Sequence, residues 1–265
     1  MCGSQTGWNY PVRTCNALGP PTVVCFKIRT WRAASRCHRI WRCCEGVGHR
    51  SSTFPAEVLF GGIVKIVDVI TLQSCGAYAG SNHWKKTRKD IFKAVRSCEW
   101  PEGTGSFTIY PESGKKRGQG NGVLPIRNAF VSALRAKQWL IEGKAKNALD
   151  QALGDFDAVL AGPVKPIAVE WETGNISSSH RSMNKLTMLV STGVLSAGVL
   201  VVPSRKLYVY LTDRIGNIQE LEPYFGLWKS VPCKSGVLEI VVIEQDHESK
   251  SVPKIPKLTA GRALA

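Results

Sequence analysis

Two runs decide the fold: Phe156-Asp157-Ala158-Val159-Leu160 and Ile167-Ala168-Val169-Glu170-Trp171-Glu172, separated by Gly162, Pro163 and Pro166. Both are short, rich in β-branched and aromatic residues and bounded by turn formers, so they read as the two strands of a hairpin. Side chains alternate along a strand. Glu170 and Glu172 therefore project from one side with Trp171 on the other, and Asp157 can face them from the partner strand. Carboxylates gathered in this way raise one another's proton affinity unless a cation sits among them, and the hard, oxygen-preferring cation available in cells is Mg²⁺. Mg²⁺ in such a place can activate water and stabilise charge developing at phosphorus. Acidic residues at strand ends are also often plain solvated surface, so spacing alone leaves both readings open.

Working outward, Ser177-Ser178-Ser179 offers N-cap hydroxyls, and Met183, Leu186, Leu189 and Val190 supply an apolar face, which predicts a helix near residues 178 to 191. Asn175, Ser177, Ser179, His180 and Arg181 then gather at its N-terminal end, where a phosphate is favoured and where Asn and Arg can read base edges. The plain alternative is a capped surface helix with an exposed His180. Upstream, the stretch from Gly122 to Trp139 has apolar residues at helical intervals and Pro125 near its start. Downstream, Ala197 to Pro203 reads as a fully buried strand, and Ser204 can cap a helix running to Tyr210. Asn217 to Trp228 is again helical in pattern, and Gly236 to Ile243 is a last long strand. Strands alternating with helices imply an α/β domain, a mixed sheet covered on both faces.

Charge points to a polyanionic partner: 35 Lys plus Arg against 20 Asp plus Glu give +15. Duplex DNA fits that balance, because neutralising phosphates releases counterions and drives association. Two clusters are candidates, Lys85-Lys86-Thr87-Arg88-Lys89 and Lys115-Lys116-Arg117. The second lies in a loop continuing Gly118-Gln119-Gly120-Asn121-Gly122, where glycine lets backbone approach a phosphate and a mobile loop could close over a duplex. No Gly-Lys-Ser/Thr follows, so it is not a nucleotide-cradling loop. Either cluster can equally be a solvated charge run.

The segment Val169-Glu170-Trp171-Glu172-Thr173-Gly174-Asn175-Ile176-Ser177-Ser178-Ser179-His180-Arg181-Ser182-Met183-Asn184-Lys185-Leu186 resembles type II restriction endonucleases of the BglII, BstYI and BamHI group, within the PD-(D/E)xK nuclease superfamily. The resemblance covers roughly residues 120 to 245 and extends weakly upstream to about residue 64. It implies a restriction-endonuclease-like core whose central mixed β-sheet is flanked by helices. In that superfamily an Asp on one strand and a Glu-x-Lys on the next hold the metal and orient water, and this group replaces the Lys with Glu or Gln. Asp157, Glu170 and Glu172 match the three positions in order and spacing. The resemblance thus implies Asp157 and Glu170 as Mg²⁺ ligands, and Glu172 as ligand of a metal-bound water or as general base. It also implies DNA contact by Asn175, Ser177, Ser179, His180 and Arg181, and a recognition core related to GATC. Some members carry a further acidic residue after the helix that precedes the metal hairpin, and Glu142 is the nearby candidate.

These features predict a Mg²⁺-dependent, sequence-specific endonuclease of double-stranded DNA, a homodimer on a short palindrome. Its expected setting is a cytoplasmic restriction-modification system with a cognate DNA methyltransferase. A structure-specific repair nuclease on the same fold and a DNA-binding protein with a dead centre are the alternatives. No apolar run is long enough to cross a membrane. The catalytic domain is expected over residues 64–245, with a disordered tail from 246 to 265 where Pro253 and Pro256 lie among Lys and Ser. Residues 1–63 look unlike the rest: they hold Cys2, Cys15, Cys25, Cys37, Cys43 and Cys44, six of the nine cysteines, with Arg-Trp repeats. A zinc module on Cys37, His38, Cys43 and Cys44 matches no standard ligand spacing, and a secreted disulfide domain lacks a clean signal peptide. Translation of an upstream region is the third reading. Gly61-Gly62 would then mark a ribosome-binding site and Val64 a GTG start.

Overall fold

A computed structural model of the chain describes residues 64–257 apart from 117, 164, 173, 213 and 214. The readings of residues 1–63 and of Arg117 lie outside the described residues. Six strands form one mixed sheet in the order β1-β7-β6-β5-β4-β3. At its centre, β5 (Ile167–Trp171), β6 (Ala197–Pro203) and β7 (Gly236–Glu244) run parallel, with Ala168, Gly198 and Leu238 in one row. Helices cover both faces of parallel strands, and their sequences accordingly read as near-continuous apolar runs; every residue of β5 and β6 is buried. The flanks are antiparallel. β1 (Lys65–Cys75) pairs with β7, while β4 (Ala152–Leu160) pairs with β5 and with the edge strand β3 (Leu140–Lys146).

Helix α1 (Gly76–Ala79) follows β1 directly. On one face of the sheet, α2 (Asn82–Arg96) and α3 (Leu124–Arg135) pack Trp84, Ile91, Phe130 and Leu134 against Val169, Trp171 and Val199. On the other, α4 (Ile176–Ser191) packs Met183, Leu186 and Leu189 against Ala168, Leu200 and Leu238. After β6 come α5 (Arg205–Tyr208), α6 (Ile218–Leu221), a 3₁₀ turn (Glu222–Tyr224) and α7 (Phe225–Ser230). Ser204 caps α5 through Leu207 N, as its sequence position predicts.

Three expectations change. The α4 cap is Asn175, whose side chain accepts from Ser178 N at 3.1 Å, so the three serines lie inside the helix. The expected disordered tail is packed as far as residue 257: β8 (His247–Glu248) pairs with β2 (Thr108–Ile109), Ile255 is 1% exposed, and Trp100 Nε1 donates to Pro253 O at 2.7 Å. The glycine-rich loop is not free to swing. A Cβ on Gly114 would lie 1.5 Å from Leu211 O and one on Gly122 2.1 Å from Pro256 O, and both backbone N–H groups donate into those neighbouring segments. The first basic cluster lies on α2, where Thr87 is buried, Arg88 is drawn to the buried Glu239 at 2.8 Å and Lys86 pairs with Asp90.

Candidate functional site

The β4–β5 pairing ends at Ala158 opposite Val169, and just beyond it Asp157 and Glu170 come together on the two neighbouring strands. Like charges opposite each other on neighbouring strands destabilise a sheet unless something positive intervenes. Two cations do, one from each face. From α3, Arg127 donates to Asp157 Oδ1 through Nε at 2.9 Å and Nη2 at 2.5 Å. From α4, Lys185 pairs with Glu170 Oε1 and donates to Asp155 O at 2.7 Å. Backbone holds the remaining oxygens: Trp171 N donates to Asp157 Oδ2 at 2.6 Å and Asp157 N to Glu170 Oε2 at 3.3 Å. Burial nevertheless pushes the Glu170 carboxyl above the usual glutamate range, against the pull of Lys185.

Glu172 lies just past β5, fixed by its N–H to Val201 O at 2.9 Å. Its Oε1 accepts from Gly174 N at 2.5 Å. Burial is the main cause that pushes its carboxyl up to about 7; hydrogen bonds from Ser179 and Gly174 oppose this, while Glu170 and Asp157 add to it. A carboxyl that exchanges its proton near neutrality is placed for acid–base work. Glu142 is not at a helix end. It lies on β3 between Ile141, opposite Ala158, and Gly143, opposite Phe156, hence across from Asp157. Its φ of 56° lies in the left-handed region, a conformation with a strain cost for a residue other than glycine. Glu142, Asp157 and Glu170 thus form a row across three strands.

A cleft of about 1490 Å³ opens over this row, lined by Glu142, Asp157, Glu170, Glu172 and the first turns of α4. Ser177, His180 and Arg181 line it. His180 is also packed edge-on against Tyr224, ring centroids 4.4 Å apart. Asn175 is exposed at the cap, beside a smaller pocket with Ser177 and Glu220. Ser179 does not reach the surface: it is fully buried, supporting Glu172 and closed over by Gly216, because the helix turns its face inward. Lys115 and Lys116 are exposed but line neither the cleft nor its rim. Sequence reasoning missed Arg127 and Lys185. The signal for Lys185 was a charge sharing a helix face with Leu189, one turn on.

Among the described residues no three His, Cys, Asp or Glu side chains converge as a ready ligand set. The pair Asp157 and Glu170 offers two hard carboxylate groups lining the open cleft. That suits Mg²⁺, which is typically held by one or two carboxylates and completes its shell with water and phosphate, better than a metal needing four protein ligands.

The family model for restriction endonuclease BamHI matches residues 64–262. Type II restriction enzyme OkrAI of Oceanobacter kriegii is 45% identical over 175 residues, 66% of this chain and 88% of that protein. Type II restriction enzyme BamHI of Bacillus amyloliquefaciens is 32% identical over 181 residues, 65% of this chain and 80% of that one. The crystal structure of restriction endonuclease BGLII complexed with DNA 16-mer is similar with a TM-score of 0.47 and 11% identity, over 68% of this chain and 78% of that one, a likeness too loose to add weight.

Proposed function

The chain belongs to the BamHI family of restriction endonucleases and is a type II, site-specific deoxyribonuclease of restriction-modification; from that premise we propose that it is a Mg²⁺-dependent homodimer whose centre is Asp157, Glu170 and Glu172. One observation carries the reading: Asp157 and Glu170, on neighbouring strands, come together with Glu142 and Glu172 in one open cleft. Both would hold the metal, which when bound lowers the proton affinity of water and offsets charge on the scissile phosphate. Glu172, poised near neutrality, takes a proton at its carboxylate, whose Oε1 stays fixed by Gly174. Arg127 holds the Asp157 carboxylate in place through two donors, and Glu142 faces the same row from β3.

The exposed cap residue Asn175, with Ser177, His180 and Arg181 on the cleft wall, is the proposed DNA-reading surface, supported by its position on the first turns of α4. Lys115 and Lys116 supply backbone attraction from farther out. A palindromic site calls for two-fold symmetry, hence the dimer, and the activity calls for a protecting methyltransferase in the same cytoplasm. The catalytic domain starts at about residue 64, in line with the family match and with β1 at Lys65.

Digesting plasmid DNA with and without Mg²⁺, using wild type and Glu170→Ala, tests the reading. Discrete fragments from wild type with Mg²⁺ alone, and at least about 10³-fold less cutting by the variant, are expected. A smear or branch-selective cutting would point to a repair nuclease. Equal DNA binding with no cutting by either protein would leave a DNA-binding protein.

A further inference from the structure

Lys185 is out of place for a surface lysine. It projects from the packed face of α4, its side chain is 8% exposed, and no carboxylate on its own helix neutralises it. Its three N–H donors are accounted for without solvent: Asp155 O, Glu170 Oε1 and the face of the Phe156 ring, 4.2 Å from Nζ. Such a lysine persists only where its charge is fully compensated. Arg127 treats Asp157 in the same way from the opposite face. Asp157 and Glu170 are therefore each already matched by a positive charge at the place where a divalent cation would sit, with Glu142 and Glu172 lining the same cleft.

From this pairing we infer that Lys185 is a resident counter-ion that competes with the divalent cation for Glu170, holding the metal affinity of the DNA-free protein low. The inference rests on the metal reading of Asp157 and Glu170 proposed above. A divalent ion bound by Asp157 and Glu170 adds two positive charges beside two cations already in place. It must move the ammonium off Glu170 or share a carboxylate with it. Arg127 grips Asp157 with two donors from a planar fork, whereas Lys185 holds Glu170 by a single contact at the end of a flexible stem, so Lys185 is the group that yields. A bound phosphodiester brings one further negative charge, which lowers the cost of holding metal and ammonium together. Metal occupancy is thereby tied to DNA occupancy, and Lys185 acts as a positioning residue through Glu170.

Calorimetric titration of the full chain with Ca²⁺, without DNA, tests this on wild type, Lys185→Gln, Lys185→Arg and Glu170→Gln. Lys185→Gln is expected to bind Ca²⁺ at least tenfold more tightly than wild type, Lys185→Arg to stay near wild type, and Glu170→Gln to lose binding. A purely structural lysine would give weaker binding, not tighter. If Glu170→Gln binds as wild type does, the metal reading itself fails. If Glu170→Gln loses binding while Lys185→Gln binds no more tightly than wild type, only the counter-ion is overturned. Should Lys185→Gln fail to fold, the wild-type protein answers alone: the protected ¹⁵N–H signal of the Lys185 ammonium is expected to shift or vanish on saturation with Ca²⁺, and its persistence unchanged overturns the inference.

Discussion

Glu172 is the residue where function and stability pull apart. Its proton is held until about pH 7 in the fold, against an ordinary value of 4.5. A carboxyl whose folded pKa is raised supports the fold fully below the unfolded value and loses that support as pH rises through the folded one. Ionised Glu172 therefore costs the native state on the order of 2–3 kcal/mol at pH 8. Glu172→Gln is expected to be more stable than wild type in urea unfolding at pH 8, with the gain gone by pH 4.5, while cleavage falls by about 10³-fold or more. Arg127→Met should act oppositely, leaving a mostly buried Asp157 carboxylate uncompensated and lowering unfolding free energy by about 2–4 kcal/mol. Lysine at 127 recovers only part, because a single ammonium cannot reproduce the two-donor grip. At this scale the sequence revealed the acids and hid the bases: acids declare themselves by strand parity, whereas Arg127 and Lys185 reach the row from helices 30 and 15 positions away from the residues they pair with, and only packing brings them there.

Among the elements, β4, β5, β6, β7 and the helices α3 and α4 were legible because each shows either a near-continuous apolar run or one clear apolar period. β3 was not, since Glu142 and Gly143 interrupt it and its outer side faces solvent. The tail was misjudged for a related reason: its prolines and lysines look like linker composition, yet Ile255 alone finds a buried site and Lys254 closes on Glu112. The glycine-rich loop shows the same limit, for glycine marks mobility in one place and close approach in another. Gly114→Ala drives a methyl against Leu211 O and is expected to lose about 2–3 kcal/mol, a drop of several degrees in melting temperature. Gly118→Ala, with φ of +86° but nothing within 4 Å, should lose only about 1 kcal/mol. Calorimetric melting of both variants distinguishes a pinned loop from a free one.

For the whole molecule, the mixed sheet with helices on both faces follows from the strand–helix alternation, but its strand order does not, because pairing between β1 and β7 spans more than 150 residues and leaves no local trace. Residues 1–63 lie apart from the matched family region. The chain expressed from Val64 is expected to melt within a degree or two of the full-length protein and to cut DNA equally well; a loss of cooperative melting would make the N-terminal segment part of the domain. Strand order also carries a timetable. β7, among the last strands synthesised, slots between β6 and β1, so until residue 244 has left the ribosome the sheet presents two raw edges instead of a closed centre. A chain that stops after the acidic row but before β7 therefore carries its carboxylates on a sheet with two open edges and is expected to aggregate rather than cut DNA.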